Sequence, residues 1–214
     1  MDETDARQWL IDHCDVSRET FGRLQDFVNL LSEENARQNL VSQATLEQVW
    51  TRHIVDSAQL FSLVAPSKGA PWLDLGTGAG FPGLIVAMLH CGKVTMVEER
   101  KKRVDFLRRA AAVLGIEESS EIIPLKVERM DARPFAVISA RAFAPLDKLL
   151  ALGERFATPG TRWVLPKGRN AQSELAAVES SWQGVFRIEP SITDAEAGII
   201  VAEQVRPRVK GKRG

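Results

Sequence analysis

The stretch DLGTGAGFPGL, Asp74 to Leu84, sets four glycines and a proline between a strand-like apolar run and a helix-like one. Glycine inside a regular element costs on the order of 1 kcal/mol relative to alanine, so such a cluster needs a backbone reason. The usual reason is that main-chain atoms must come close to a ligand. The same stretch constrains the fold, because a strand that hands over to a helix belongs to a crossover unit.

From Trp72 onward, strand and helix patterns alternate. Apolar runs read as strands at Trp72–Leu75, Val94–Val97, Ile122–Val127, Phe135–Ser139 and Thr161–Leu165, with two more near Val185–Glu189 and Ile199–Val205. Helical patterns lie between them, at LIVAMLH, at Val104, Leu107, Ala111 and Leu114, at 146–156 and near 171–182. Repeated strand–helix units predict a mainly parallel sheet with helices on both faces. Such sheets bind ligands at the carboxyl ends of their strands, near the point where strand order reverses. The glycine stretch follows the first strand, where that site is expected.

The first third reads as helical. Phe21, Leu24, Phe27, Val28 and Leu31 recur at helical spacing after a plausible N-cap at Ser17. A second helix starts near Thr45, with Thr45 and Gln48 as a capping-box pair, and continues through Val64 until Pro66 and Gly69 end it. His53 lies on its apolar stripe and reads as a packed core residue. The expected division is a helical extension over 1–66, a core domain over 67–205 and a basic tail over 206–214.

Composition excludes several classes. Among 214 residues there are only two cysteines, Cys14 and Cys91, without metal-type spacing, so neither a disulfide framework nor a metal site is expected. The acidic opening MDETDARQWL has the wrong sign for a signal peptide. The longest uncharged run, Leu75–Gly92, holds five glycines and a proline and does not suit a membrane span. A soluble cytoplasmic protein is expected. Net charge is zero, so any polyanion-binding surface must be local. Arg100–Arg109 holds six bases against one acid, and the tail from Arg206 holds five bases and no acid. Each cluster suits a polyanion-facing surface or a solvated helix face.

The glycine stretch supports two ligands. Gly78, Gly80 and Gly83 spell G-x-G-x-x-G, the dinucleotide fingerprint, with Glu98 at about the right distance to hold a ribose. Gly76, Gly78 and Gly80 spell G-x-G-x-G directly after the strand-end Asp74. A pyrophosphate needs free N–H groups at the helix start, and Pro82 removes one. A nucleoside without phosphates, S-adenosylmethionine, fits the second spacing. Its charged sulfur and amino-acid end would meet Gly76, Gly78 and Asp74, and Glu98 would accept both ribose hydroxyls.

The loop occurs with NLVS (39–42), RHIVDS (52–57), VEERKKRVDFLR (97–108), KVE (126–128), ISARAFAPL (138–146) and PKGRN (166–170). Together these resemble the 16S ribosomal RNA guanine-N7 methyltransferase G family, RsmG, from about residue 25 to 205. The resemblance implies a Rossmann-like class I S-adenosylmethionine-dependent methyltransferase fold. It implies a seven-stranded, mainly parallel sheet with an antiparallel last strand, plus an N-terminal helical extension. It implies methyl transfer to N7 of one guanine of 16S rRNA in the small ribosomal subunit or its assembly intermediate, by a monomer. Cofactor contacts are then expected at Gly76, Gly78, Phe81, Glu98, Val127, Glu128 and Arg141. Arg141 is also a candidate for the target pocket, and no residue is assigned as catalytic. The sequence departs from many members at ISARAF, which carries one extra small residue before the phenylalanine. Candidate RNA contacts are Lys102, Arg103, Lys167, Arg169 and the tail, with Phe81, Phe143, a tryptophan or an arginine plane available for stacking. Two rivals remain: a class I methyltransferase for a small molecule or protein, and a dinucleotide-binding protein.

Overall fold

The central strands are short and buried on both faces, whereas those at one edge are longer and partly exposed. Their packing was traced in a computed structural model that describes residues 1–64, 69–89 and 92–208. The expected helix stop at Pro66, Cys91 and the tail beyond Arg208 lie outside the described residues. Seven strands form one sheet: β1 (Trp72–Leu75), β2 (Val94–Val97), β3 (Ser120–Ile123), β4 (Val137–Ser139), β5 (Arg162–Gly168), β6 (Trp182–Pro190) and β7 (Gly198–Pro207). Their spatial order is β3-β2-β1-β4-β5-β7-β6. β1 to β5 are mutually parallel, and β7 runs antiparallel to both β5 and β6. The chain builds outward from β1 to β3, then returns to place β4 on the other side of β1. The strand order therefore reverses between β1 and β4.

Side-chain alternation divides the core. Trp72, Val94, Met96, Val137 and Val164 point to one face, beneath α1 (Glu3–His13), α2 (Arg18–Gln38), α4 (Asp56–Val64), α5 (Gly83–Leu89) and α6 (Lys101–Leu114). Leu73, Leu75, Val97, Ile138 and Leu165 point to the other, beneath α7 (Leu146–Gly153) and α8 (Ala171–Val178). The N-terminal helices thus share the first face of the sheet with α5 and α6. Leu24, Phe27 and Leu31 of α2 share a core with Phe106, Leu107 and Leu114 of α6. Glu34 and Arg109 join the same two helices at 2.6 Å.

Several boundaries differ from the sequence-based expectation. β3 spans Ser120–Ile123 because Pro124 stops the ladder, and Val127 opens a single tight turn instead of ending a strand. The expected helix from Thr45 to Val64 is three pieces: α3 (Gln43–Leu46), a π-helical segment over Trp50–Val55, and α4. Ser42, not Thr45, caps the first piece, its hydroxyl accepting from Thr45 N at 3.2 Å. Glu3 reaches from α1 to accept from Trp50 N at 3.1 Å and Thr51 N at 2.8 Å at the start of the π-helical segment. Among the described helices none is long and apolar enough to cross a membrane.

Candidate functional site

Asp74 organises the glycine loop from beneath. It is fully buried at the end of β1; Oδ1 accepts from Ser139 Oγ at 2.7 Å, and Oδ2 accepts from Gly83 N at 3.0 Å and from Thr77 Oγ1. Trp72 Nε1 donates in turn to Ser139 Oγ at 2.9 Å. Burial pushes the carboxyl pKa up to about 6, against the pull of these donors. Both oxygens of Asp74, expected to meet the amino-acid end of a cofactor, accept hydrogen bonds within the turn.

That turn leaves Gly76 at φ +65°, under the ring of Phe143. A Cβ at Gly76 would lie 2.1 Å from Phe143 Cδ2. The position is closed to other residues by both backbone and space. Across from it, Glu98 is 6% exposed at the end of β2; its Oε1 accepts from Arg100 N at 2.8 Å, and its Oε2 lies 3.5 Å from Arg103 Nη1. Gly76, Glu98, Val127, Glu128 and Phe143 line one cavity of about 390 Å³. A buried carboxylate, an apolar shelf and a glycine without a side chain fit a nucleoside-bearing ligand of this size range. Gly78, at φ +61°, is not part of this lining; a Cβ there would lie 3.7 Å from Arg103 Nη1.

Two expected cofactor residues lie elsewhere. Phe81 is 3% exposed, stacked on His53 at 4.7 Å and edge-on to Phe27 at 5.7 Å. The guanidinium carbon of Arg141, after β4, lies 5.2 Å from the centre of the same Phe81 ring. Its Nη1 donates to Asp56 Oδ2 at 3.0 Å and to the Arg52 carbonyl at 2.9 Å, and its Nη2 donates to His53 Nδ1 at 2.8 Å. A guanidinium only donates, so Nδ1 accepts and the proton of His53 sits on Nε2, which is buried without a partner. Burial first, and then the nearby charges of Arg141 and Arg52, bring the His53 pKa down to about 3. His53 is packed, as expected, but it also belongs to a polar network that the apolar stripe did not reveal.

Arg141 opens on a second cavity, of about 670 Å³, on the β4–β5 side of the strand reversal. Ala142, Phe143 and Ala144 belong to the walls of both cavities. Ala142 holds φ +51°, a left-handed conformation that costs a non-glycine residue of order 1–2 kcal/mol. This turn separates Arg141, which faces Asp56, from Phe143, which covers Gly76.

The expected RNA contacts separate into two kinds. The Lys167 side chain is 7% exposed and its Nζ donates to the Ala144 carbonyl and to Glu174, both at 2.8 Å, so it is a strut within the protein and not a free phosphate ligand. Arg103 is held against Glu98. Lys102 is exposed on α6, and Arg169 is 73% exposed beside Glu196. Sequence reasoning noted RHIVDS but assigned no role to Arg52, His53 or Asp56. The signal it carried was three polar residues interrupting an apolar helical stripe.

The chain matches the family described as "rRNA small subunit methyltransferase G" over residues 21–198. It is 52% identical to the "Ribosomal RNA small subunit methyltransferase G" of Rhizorhabdus wittichii, over all of this chain and 98% of that one. The protein of the same name from Sphingopyxis alaskensis is 47% identical, over 99% of this chain and 91% of its own length. Among solved structures, an O-methyltransferase from Bacillus cereus in complex with SAH superposes with a TM-score of 0.61 at 15% identity, covering 92% of this chain and 96% of that one. A SAM-dependent O-methyltransferase from Thermotoga maritima gives 0.56 at 16% identity, covering 72% and 66%. At these identities the structural neighbours establish the fold alone.

Proposed function

The chain belongs to the rRNA small subunit methyltransferase G family, and we propose on that premise that it methylates N7 of a guanine in 16S rRNA. S-adenosylmethionine, when bound, supplies the methyl group on a positively charged sulfur. The observation that carries the reading is the first cavity, where Gly76, the buried Glu98 and Val127 converge at the carboxyl ends of β1, β2 and β3. On this reading Glu98 accepts the ribose hydroxyls through Oε2, displacing the longer contact to Arg103. Val127 and Glu128 border the adenine, and the Gly76 backbone lies against the ligand once Phe143 has turned aside. Gly78 shapes the loop without lining that cavity. Phe81 acts through the ring contacts that hold His53 and Arg141.

The residues suit a reaction without a general base. Guanine N7 has a lone pair and no proton, so nothing must be removed before it attacks. The buried carboxyl of Asp74 is closed off by its three donors, and His53 Nδ1 is occupied by Arg141. What remains for the protein is positioning, which can supply effective molarities of ~10⁵ M or more. N7 must stay free, so an arginine near the base holds O6 or a phosphate instead of the paired O6–N7 grip.

We further propose that the substrate is carried on the small ribosomal subunit or its assembly intermediate, in the cytoplasm, and that a monomer acts. In this scheme residues 1–66 are an extension of a methyltransferase core over 67–205, and the tail 206–214 meets RNA. Mass mapping of 16S rRNA from cells lacking the gene tests the activity. One N7-methylguanosine should disappear and return with the wild-type gene; an unchanged map rejects the reading. Calorimetry separates the cofactors, with S-adenosylmethionine expected to bind and NAD not. Gly76→Val should abolish S-adenosylmethionine binding in the calorimeter, because its side chain would collide with Phe143 and fill the cavity, while the circular dichroism spectrum stays unchanged.

A further inference from the structure

We infer that Glu3, in the first turn of α1, is a positioning residue for methyl transfer: its carboxylate fixes the π-helical backbone that holds Arg141 in place. The inference rests on the activity proposed above.

Glu3 does not serve its own helix. Asp2 Oδ1 accepts from Thr4 N and Asp5 N, both at 2.8 Å, and Asp5 Oδ2 accepts from Asp2 N at 3.3 Å. This capping box satisfies the start of α1 and leaves Glu3 free to reach across. Both of its oxygens are used there, Oε2 by Trp50 N and Oε1 by Thr51 N, while Thr51 Oγ1 donates to the Asp2 carbonyl at 3.1 Å. Arg7, one turn further along α1, lies over the Trp50 ring at 4.8 Å.

An α-helix running on from α3 would bond the amides of Trp50 and Thr51 to the carbonyls of Leu46 and Glu47, four residues back. Glu3 takes those amides instead, and the wider π-helical turn begins at Trp50. A backbone that slips by one residue into α-helical register turns by roughly 100° about its axis. The consequence falls on Arg141, whose guanidinium donates to the Arg52 carbonyl at 2.9 Å, to His53 Nδ1 at 2.8 Å and to Asp56 Oδ2 at 3.0 Å. Such a turn takes the carbonyl and the imidazole away from Arg141 together. Arg141 adjoins Ala142–Ala144, which wall the first cavity at the carboxyl end of β4. Misplacement of about 1 Å near reacting groups can cost ~100-fold in rate.

Small subunits from cells lacking the gene, with tritiated S-adenosylmethionine, provide the assay, at a temperature where circular dichroism shows every variant folded. Glu3→Ala removes both acceptors; Glu3→Gln keeps the shape but sets an amine against one of the two amides. Each is expected to lose at least about tenfold in kcat, with KM for the subunits and calorimetric affinity for S-adenosylmethionine within twofold of wild type. Leu114→Ala, a core truncation at the far end of α6, controls for lost stability and should keep the wild-type kcat. Proton NMR gives a readout without turnover. The His53 ring, kept neutral in wild type by burial and by Arg141 and Arg52, should take up its proton at higher pH in both Glu3 variants and not in Leu114→Ala. If Glu3→Ala does not fold, the isosteric Glu3→Gln decides. A folded Glu3→Gln with kcat within twofold of wild type, an equal loss in Leu114→Ala, or an unmoved His53 titration overturns the inference alone. A wild-type protein that methylates no 16S rRNA would overturn the activity and this inference together.

Discussion

Arg141 and Asp56 are each less than one-fifth exposed, so removing one leaves the other's charge poorly solvated. Arg141→Ala should cost about 2 kcal/mol in urea denaturation, the scale of a lost charged hydrogen-bond partner. Arg141→Lys should recover little of it, because one ammonium cannot reach His53, Asp56 and the Arg52 carbonyl with the geometry of a planar fork. His53 adds a pH dependence to the same cluster. Its folded pKa lies near 3 against 6.5 for the free side chain, so the unfolded chain binds more protons between those values. Stability therefore falls as pH drops through that window. Wild type should lose about 2 kcal/mol more than His53→Gln between pH 7 and pH 5. Asp74, raised to about 6, pushes the opposite way, gaining stability as pH falls over the same range. It is common to both proteins and cancels in the comparison. Equal losses in the two would show that His53 is not held neutral.

At the scale of elements, the packing of α5 onto β2 reverses an ordinary helix preference. Alanine normally improves on glycine in a helix by roughly 1 kcal/mol. At Gly83 a Cβ would meet Met96 Cγ at 2.5 Å and Thr77 Oγ1 at 2.7 Å, the latter already bound to Asp74. Gly83→Ala should destabilise by about 1–3 kcal/mol through overpacking, read as a lower Tm; a higher Tm would mean the helix is free to slide. The same neighbourhood shows what local sequence can reveal. β1 and β2 were legible as four-residue apolar runs closed by glycine or acid, because both faces of these parallel strands are buried. The N-cap at Ser17 was legible because its hydroxyl serves an amide three residues away. The π-helical segment was not. Its backbone is held from outside by Glu3, and nothing in Trp50–Val55 alone encodes that partner. α1 escaped notice because only Ala6 and Leu10 of its eleven residues are buried, too few for a clear periodic stripe.

At the scale of the whole molecule, the meeting of Gly76 and Glu98 at one cavity was readable from spacing, since both belong to one strand–helix–strand unit. The Arg52–His53–Asp56 network was not, because its partner Arg141 arrives from 85 to 89 residues away and only the fold joins them. The same distance effect redistributes the cations. With a net charge of zero, RNA affinity must come from those that the fold leaves exposed. Lys102 stands beside Arg103 at the margin of the first cavity, and Arg169 stands between Gly168 and Asn170 at the margin of the second. An RNA strand laid along the carboxyl edge of the sheet would pass both. Each phosphate contact on a single strand contributes about 0.7 to the slope of log affinity against log salt. Replacing Lys102 and Arg169 together by alanine should therefore flatten that slope by about 1.4 and leave S-adenosylmethionine affinity unchanged. Lys167→Ala should lower stability and leave the slope alone, because its ammonium is already held by Glu174 and Ala144. Filter binding of 16S rRNA across a salt series decides between them: a slope that moves with Lys167 and not with the exposed pair would place the RNA path inside the cavity instead of across its rim.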